Sequence, residues 1–180
     1  MDALKALVSG RRSVRVFRPD PISADQQTEL LEAVRWAPSW ANTQCWEAVW
    51  VSDPDQKKAL QETISPKNPA TKAIVAAPVV VALCAKTLSA GYYKGEAGTR
   101  FGDWMLFDLG LAAQNFCLAA HGLGLGSVIV GLFDHDHADR VLKVPAGYQS
   151  VVLIPVGYPA KVPKPPKRRS LAEFTHHDSF

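Results

Sequence analysis

The sequence predicts one α+β domain with four core strands and about five helices. The chain has 180 residues, of which 47% are hydrophobic and 21% charged, so it is long enough to bury one core. A continuous apolar run of strand length, VVVALCA at 79–85, is typical of a buried strand. Helical stripes with capping residues alternate with such runs, and neither an internal repeat nor a linker divides residues 1–180.

The first half of the chain contains helices with recognisable ends. Residues 2–9 predict a short helix with one apolar face. Ser23 and Gln26 form a capping box that begins the next helix, and Pro38 follows its end. WEAVWV, 46–51, predicts a strand. Asp53-Pro54 begins a helix that runs to about residue 64, and 71–77 predicts a further turn or two.

The second half begins with the buried strand and then a loop at 86–101 that has no clear period. The next helix, about 102–121, is apolar almost all round, which predicts burial by the core or by another subunit. A strand at 127–131 and a helix capped by Asp134 follow. SVVLIPVGY, 150–158, predicts the last strand, and the proline-rich tail from 159 is expected to be extended.

Composition excludes several classes of protein. A net charge of +3 is too small to indicate nucleic-acid binding. Three dispersed cysteines form no CxxC pair and favour a reducing compartment, and the N-terminus is unlike a signal peptide, so a cytoplasmic location is expected. Residues 109–133 lack charge, but their polar residues and glycines argue against a membrane span.

The segment RRSVR, 11–15, concentrates basic side chains around a serine without any acid. Guanidinium groups match phosphate oxygens, and the hydroxyl adds another donor, so a phosphate monoester is one candidate ligand. A solvated basic turn is the alternative. A second basic cluster lies at 161–169, where Lys161, Lys164, Lys167, Arg168 and Arg169 also occur without an acid.

The segment RWAPSWANTQCW, 35–46, places small hydrogen-bonding side chains among three tryptophans. This combination suits a flat heteroaromatic ligand with polar edges. The alternative is a polar connection whose tryptophans belong to the core.

Three further motifs do not predict a binding site. GLGLG, 122–126, is not a dinucleotide-binding fingerprint, because a helix precedes it and a strand follows it. DHDH at 134–137 and HHD at 176–178 lack a spaced third partner, so no metal site is expected.

Five blocks in order resemble the flavin-dependent nitroreductase family: RRSVR, APSWANTQCW, FDLGLAAQNFCLAAHGLGLGSVIVGLFD, GYQSVVLIPVGYP, and a basic tail containing RRSLAEF. The resemblance implies a nitroreductase-like sandwich, with a central, mostly antiparallel sheet flanked by helices. It also implies an intertwined homodimer that holds FMN at the subunit interface, with the tail 159–180 packing on the partner.

The resemblance also implies the residues that bind the cofactor. The phosphate and ribityl chain would be held by Arg11, Arg12, Ser13 and Arg15, with Arg168 and Arg169 from the tail. The isoalloxazine ring would be bordered, usually from the partner chain, by Pro38, Ser39, Trp40, Asn42 and Gln44. Backbone around Val130 and Gly131 would lie near its redox edge. Cys45 stands where the family usually has proline, which places a thiol near the site.

The function implied is NADH- or NADPH-dependent reduction of nitroaromatics, quinones or similar small acceptors, with no catalytic side chain required. The same fold could instead support heterocycle oxidation, dehalogenation or flavin breakdown. Two functions without catalysis also fit: a flavin-binding protein that is not an enzyme and, if the resemblance is disregarded, a simple anion-binding module.

Overall fold

The computed structural model describes residues 2–180. Its helices are α1 (Asp2–Gly10), α2 (Ala24–Arg35), α3 (Pro54–Glu62), α4 (Thr71–Ala76), α5 (Met105–Gly122) and α6 (His135–Leu142). Its strands are β1 (Val16–Phe17), β2 (Trp46–Val51), β3 (Val79–Lys86), β4 (Tyr92–Tyr93), β5 (Glu96–Ala97), β6 (Gly126–Ser127), β7 (Tyr148–Gly157) and β8 (Pro159–Lys161).

The main sheet has four strands in the order β2-β3-β7-β6, and every neighbouring pair is antiparallel. The long central strands β3 and β7 pair from Val79 opposite Val156 to Lys86 opposite Tyr148. The predicted α+β class and mostly antiparallel central sheet are confirmed.

Side chains that alternate along β3 divide the core between the two faces of the sheet. Val81 and Leu83 pack with α2 and α5 on one face, whereas Val80 and Ala82 pack with α3, α4 and α6 on the other. Both faces are covered, which explains why β3 is apolar at every position except its last.

The helix starts follow the predicted capping chemistry. Ser23 and Gln26 form the capping box of α2 in both directions. Asp53 accepts the amide of Gln56 at the start of α3, and Asp134 accepts the amide of His137 at the start of α6. The start of α5 at Met105 is later than predicted, because Asp103 accepts the Met105 amide and marks the boundary.

The predicted strand at 127–131 is shorter than expected. β6 covers only Gly126–Ser127, and Val130 then makes an isolated bridge to Leu153. Pro155 of β7 explains the interruption: its carbonyl accepts the Val128 amide at 3.4 Å, but it has no N–H to donate on that side.

Two small pairings were not predicted. The loop at 86–101 contains the hairpin β4–β5. The tail begins with β8, which pairs with β1 of the same chain, Val16 opposite Lys161. Beyond β8 the tail is extended and almost wholly exposed, apart from a short turn at Leu171–Glu173.

Helix α5 is the central helix, but this chain buries only part of it. Leu109, Phe116 and Cys117 are buried in the core, while Leu106 and Phe107 remain 61% and 58% exposed. In the part of the chain from Asp2 onward, no helix combines the length and hydropathy that a membrane crossing needs.

Candidate functional site

A basic cleft of about 300 Å³ lies beside the end of α1. It is lined by both basic clusters: Arg11, Arg12, Ser13, Arg15, Pro163, Lys164, Pro166 and Arg168. Five of these eight residues are cations and none is an acid, so the cleft favours an anion. Within residues 2–180, none of these cations lies in a salt bridge.

The β1–β8 pairing brings the two clusters together. β1 directly follows the first cluster and β8 directly precedes Val162 and Pro163, so their antiparallel ladder places both clusters at one edge. Arg11 and Arg12 are half-buried, whereas Arg15 and Arg168 are exposed. The Arg12 guanidinium donates to the carbonyls of Ser9 and Arg11 at 2.6 and 2.7 Å, which fixes its orientation.

Arg169 is placed differently from its neighbour. Its guanidinium donates to the Glu173 carbonyl and makes a cation–π contact with Phe174, 5.6 Å from the ring centroid. The side chain is therefore engaged within the tail and does not line the cleft. Lys164 lines the cleft instead, although the resemblance implied no role for it.

The end of the GLGLG segment packs against the arginine segment that lines the cleft. The backbone of Ser13 bridges to Ser127 in parallel, and the Val14 amide donates to the Ser127 carbonyl at 2.9 Å. A Cβ on Gly126 would lie 2.7 Å from the Val14 Cβ, so only glycine allows the two backbones this close. The motif therefore has a packing role in placing the arginine segment on the sheet edge.

We expect Gly126→Ala to destabilise the protein by about 1–3 kcal/mol, because the added methyl must displace the branched Val14 side chain. The measurement is urea unfolding of the variant and the wild type. Gly122→Ala is the matched control, since its Cβ would meet only the Leu7 Cδ2 at 3.4 Å, and we expect a change below about 0.5 kcal/mol. Equal stabilities for the two variants would contradict this packing role.

The second predicted block forms the 38–45 loop, residues 38–45 between α2 and β2. Pro38, Asn42 and Gln44 are exposed, while Ser39 and Trp40 are half-buried. The Ser39 hydroxyl accepts the Gln44 amide at 3.0 Å, and the Gln44 side chain donates to the Asn42 side-chain oxygen at 3.2 Å. The polar side chains thus form a connected group with outward-facing amides.

An aromatic pocket of about 380 Å³ adjoins the 38–45 loop. It is lined by Pro38, Ser39, Trp40, Trp104, Phe107, Asp108 and Leu111. The Trp40 and Trp104 rings are 5.2 Å apart, and Trp104 meets Phe107 edge-on at 5.4 Å. Trp104, Phe107 and Asp108 were not among the predicted site residues; the one available signal for Asp108 was an acid within an otherwise apolar helix.

Cys45 is the last residue of this loop and is buried. Burial and the nearby Asp108 carboxylate raise the pKa of Cys45 to about 11, so the thiol is protonated at neutral pH. Burial likewise raises the pKa of Cys84 to about 12. Neither thiol has the depressed pKa of a reactive nucleophile.

Val130 and Gly131 differ in what they can offer a ligand. Val130 is buried, and both its amide and its carbonyl are bonded to Leu153 at 2.9 Å. Gly131 is exposed, and within the described chain its amide donates to no backbone acceptor. Gly131 rather than Val130 therefore has a backbone donor available for a ligand.

The basic cleft and the aromatic pocket share no lining residue. The structure thus gathers Arg11, Arg12, Ser13, Arg15 and Arg168 in one place and Pro38, Ser39 and Trp40 in another. From Asp2 to the C-terminus, no group of three or more histidine, cysteine or acidic side chains could hold a metal. His135 instead contacts the Ser150 carbonyl through Nδ1 at 2.8 Å.

Comparison with known proteins identifies a family and several relatives of this chain. The family model described as Nitroreductase family matches residues 8–158. The chain is 30% identical to the NADH dehydrogenase of Thermus thermophilus, with 95% of this chain and 93% of that protein covered. It is 28% identical to the 5,6-dimethylbenzimidazole synthase of Rhodospirillum rubrum, covering 88% and 82%.

Two further similarities extend this result. The chain is 26% identical to the FMN reductase (NADPH) of Bacillus subtilis, covering 94% of this chain and 73% of that protein. A solved nitroreductase-like protein from Streptococcus mutans superimposes with a TM-score of 0.83 at 24% identity, covering 99% of this chain and 100% of that chain.

Proposed function

The chain belongs to the nitroreductase family and is an FMN-dependent NAD(P)H oxidoreductase, and we propose that it reduces nitroaromatics, quinones or similar small acceptors. The observation that carries the proposal is the basic cleft, which unites two sequence-distant clusters of cations without an acid. FMN, when bound, supplies the hydride chemistry between the nicotinamide donor and the acceptor.

The residues of the cleft fit a terminal phosphate. Arg15, Lys164 and Arg168 supply positive charge, and the Ser13 hydroxyl adds a neutral donor. The fit is to one phosphate monoester, because the chain has no dinucleotide fingerprint for a second nucleotide. We therefore assign the phosphate end of FMN to Arg11, Arg12, Ser13, Arg15 and Arg168, with Arg169 supporting the tail.

We assign the ring end to the 38–45 loop. Ser39, Asn42 and Gln44 offer hydrogen-bonding groups for the polar edge of the ring, and Trp40 offers an aromatic surface. The Gly131 amide offers a further donor from the sheet. These groups orient the ring and exclude water from it, and no side-chain acid or base is assigned to the reaction.

We propose that two chains complete each site. The cleft and the aromatic pocket beside the 38–45 loop share no lining residue, and α5 exposes Leu106 and Phe107. A two-fold dimer would cover these apolar side chains and bring the loop of one chain to the cleft of the other. The exposed tail, with Leu171 and Phe174, would pack on the partner.

Cofactor release and a visible spectrum test the proposed function. We expect heat-released cofactor to chromatograph as FMN, and NADH or NADPH to bleach the flavin band of the reconstituted protein until a quinone is added. Recovery of FAD alone would contradict the phosphate assignment. A flavin band that neither nicotinamide bleaches would instead indicate a protein that binds flavin without this activity.

A second candidate is favoured by the relative from Rhodospirillum rubrum, whose name describes synthesis of 5,6-dimethylbenzimidazole. The benzenoid ring of a flavin already carries two adjacent methyl groups and two ring nitrogens, so flavin itself is a chemically suitable precursor. Loss of reduced FMN under air, with release of a benzimidazole detected by mass spectrometry, would support this candidate. Recovery of all the FMN after many turnovers with quinone would support the reductase.

A further inference from the structure

Asp108 is a buried carboxylate that ties the 38–45 loop to the central helix. It lies in the first turn of α5 and is 1% exposed. Both carboxylate oxygens accept the Trp40 amide, at 3.1 and 3.0 Å, and the Cys45 thiol donates to Oδ2 at 3.7 Å. Over residues 2–180 no lysine, arginine or histidine forms a salt bridge with it.

The buried position of this carboxylate is costly for folding. Burial of an ionised acid without a cation costs free energy, and burial raises the pKa of Asp108 while the Trp40 amide opposes that rise. The positive end of the α5 dipole compensates in part. An apolar side chain would avoid this cost but would leave the Trp40 amide and the Cys45 thiol without their acceptor, so the acid is explained by its contacts with the 38–45 loop.

The 38–45 loop has a strained backbone, which the Asp108 carboxylate helps to hold in place. Ala41, Asn42 and Gln44 have φ angles of 44°, 55° and 47°. Left-handed conformations at non-glycine residues cost about 1–3 kcal/mol each and persist only where surrounding contacts enforce them. The bonds among Ser39, Asn42 and Gln44 lie within the loop, whereas the Trp40 bond to Asp108 fixes the loop to the body of the domain.

We propose that Asp108 is a positioning residue, which holds the 38–45 loop in the strained conformation that presents Ser39, Asn42 and Gln44 to the flavin ring. This inference rests on the proposed function, because it is the flavin that the loop would border. It assigns Asp108 no contact with the cofactor. The carboxylate acts through the Trp40 amide and the Cys45 thiol.

The test compares Asp108→Asn with Asn115→Ala in the full-length protein. Asn115 lies on the same helix and donates to the Ala33 carbonyl at 3.2 Å, away from the loop, so its loss perturbs α5 without touching Trp40. Three quantities are measured: the affinity of the apo-protein for FMN, the affinity for inorganic phosphate as a competitor of FMN, and amide hydrogen exchange of peptides spanning 38–45. Asp108→Ala carries the same expectations should the Asn variant not fold.

We expect Asp108→Asn to weaken FMN binding about tenfold and to accelerate exchange within 38–45, because an amide nitrogen replaces one acceptor of the Trp40 N–H. Phosphate affinity should stay unchanged, since the basic cleft and the aromatic pocket that includes Asp108 share no residue. Asn115→Ala should change none of the three quantities more than about twofold. If Asp108 only stabilised the fold, its replacement would lower the affinities for FMN and for phosphate together. A loss of FMN affinity with unchanged phosphate affinity therefore indicates a role in positioning the loop that borders the ring.

The inference is overturned if Asp108→Asn binds FMN as the wild type does, or if its exchange within 38–45 is unchanged. It is also overturned if Asn115→Ala produces the same losses, or if phosphate affinity falls in parallel with FMN affinity. Failure of the wild-type protein to bind FMN at all is a separate result, seen before any variant is made. That result would remove the proposed function itself.

Discussion

Replacing Arg15 or Arg168 with alanine is expected to weaken FMN binding about tenfold or more while leaving the fold intact. A hydrogen bond between a guanidinium and a phosphate is worth about 1.5–3 kcal/mol, and about 1.4 kcal/mol corresponds to a tenfold change in affinity. Both side chains are exposed, and Arg15 makes only one bond within the described chain, to the Ser13 carbonyl at 3.1 Å. Their removal should therefore change folding stability little.

Titration of FMN into the apo-variants measures the effect, with riboflavin as a second ligand that has the same ring and no phosphate. Riboflavin affinity should be the same in the wild type and in both variants. Arg140→Ala is the matched control, because it removes one exposed arginine from the end of α6, outside the cleft. At about 0.15 M ionic strength we expect it to change FMN affinity less than about twofold.

Unchanged FMN affinity in both Arg15→Ala and Arg168→Ala would place the phosphate site elsewhere. Equal losses for FMN and riboflavin would show that the arginines act on the ring or on the fold. Either result would also remove the reason for assigning the basic cleft to the phosphate of FMN.

The parts of the fold that were predicted correctly depend on local chemistry. The capping box at Ser23 defines the start of α2, and WEAVWV coincides with β2. An apolar run such as β3 indicates burial on both faces of a sheet, wherever its partners lie in the sequence. Each of these signals is contained within about ten consecutive residues.

The parts that were missed depend on contacts between distant residues. β1 and β8 have two and three residues and belong together only because Val16 pairs with Lys161, a register that no local pattern encodes. The premature end of β6 is caused by the missing N–H of Pro155 on the neighbouring strand. Asp108 was visible as an acid in an apolar helix, but its partner Trp40 is 68 residues away.

The candidate site, like the fold, was predicted only in part from the sequence. The arginine segment and the 38–45 loop are chemically unusual in the sequence itself, and the structure places Arg15 and Arg168 in one cleft. The link from these residues to FMN came from resemblance, because spacing alone fits a solvated basic turn as well as a phosphate site. How the cleft and the loop combine into one site stays a prediction, and it leads to the second large effect.

Two variants that each bind FMN weakly are expected to restore activity to each other when they are refolded together and assayed at an FMN concentration too low to occupy either variant alone. Arg15 belongs to the basic cleft and Asn42 to the 38–45 loop, whose adjoining pocket shares no lining residue with that cleft. If the cleft of one chain faces the loop of its partner, Arg15→Ala and Asn42→Ala damage opposite halves of each site. A mixed dimer then has one site with both defects and one site with neither.

About a quarter of the wild-type activity should return. Random pairing of equal amounts makes about half of the dimers mixed, so about a quarter of all sites are wild type. Flavin-dependent NAD(P)H oxidation with a quinone, measured after joint unfolding and refolding, should therefore reach about this fraction of the wild-type rate above the parental background. Each variant refolded alone is the control, and mass spectrometry of the intact dimers verifies that partners were exchanged. If one chain supplied both halves, every site would keep a defect, so activity no higher than the average of the two parents would exclude a site shared between chains.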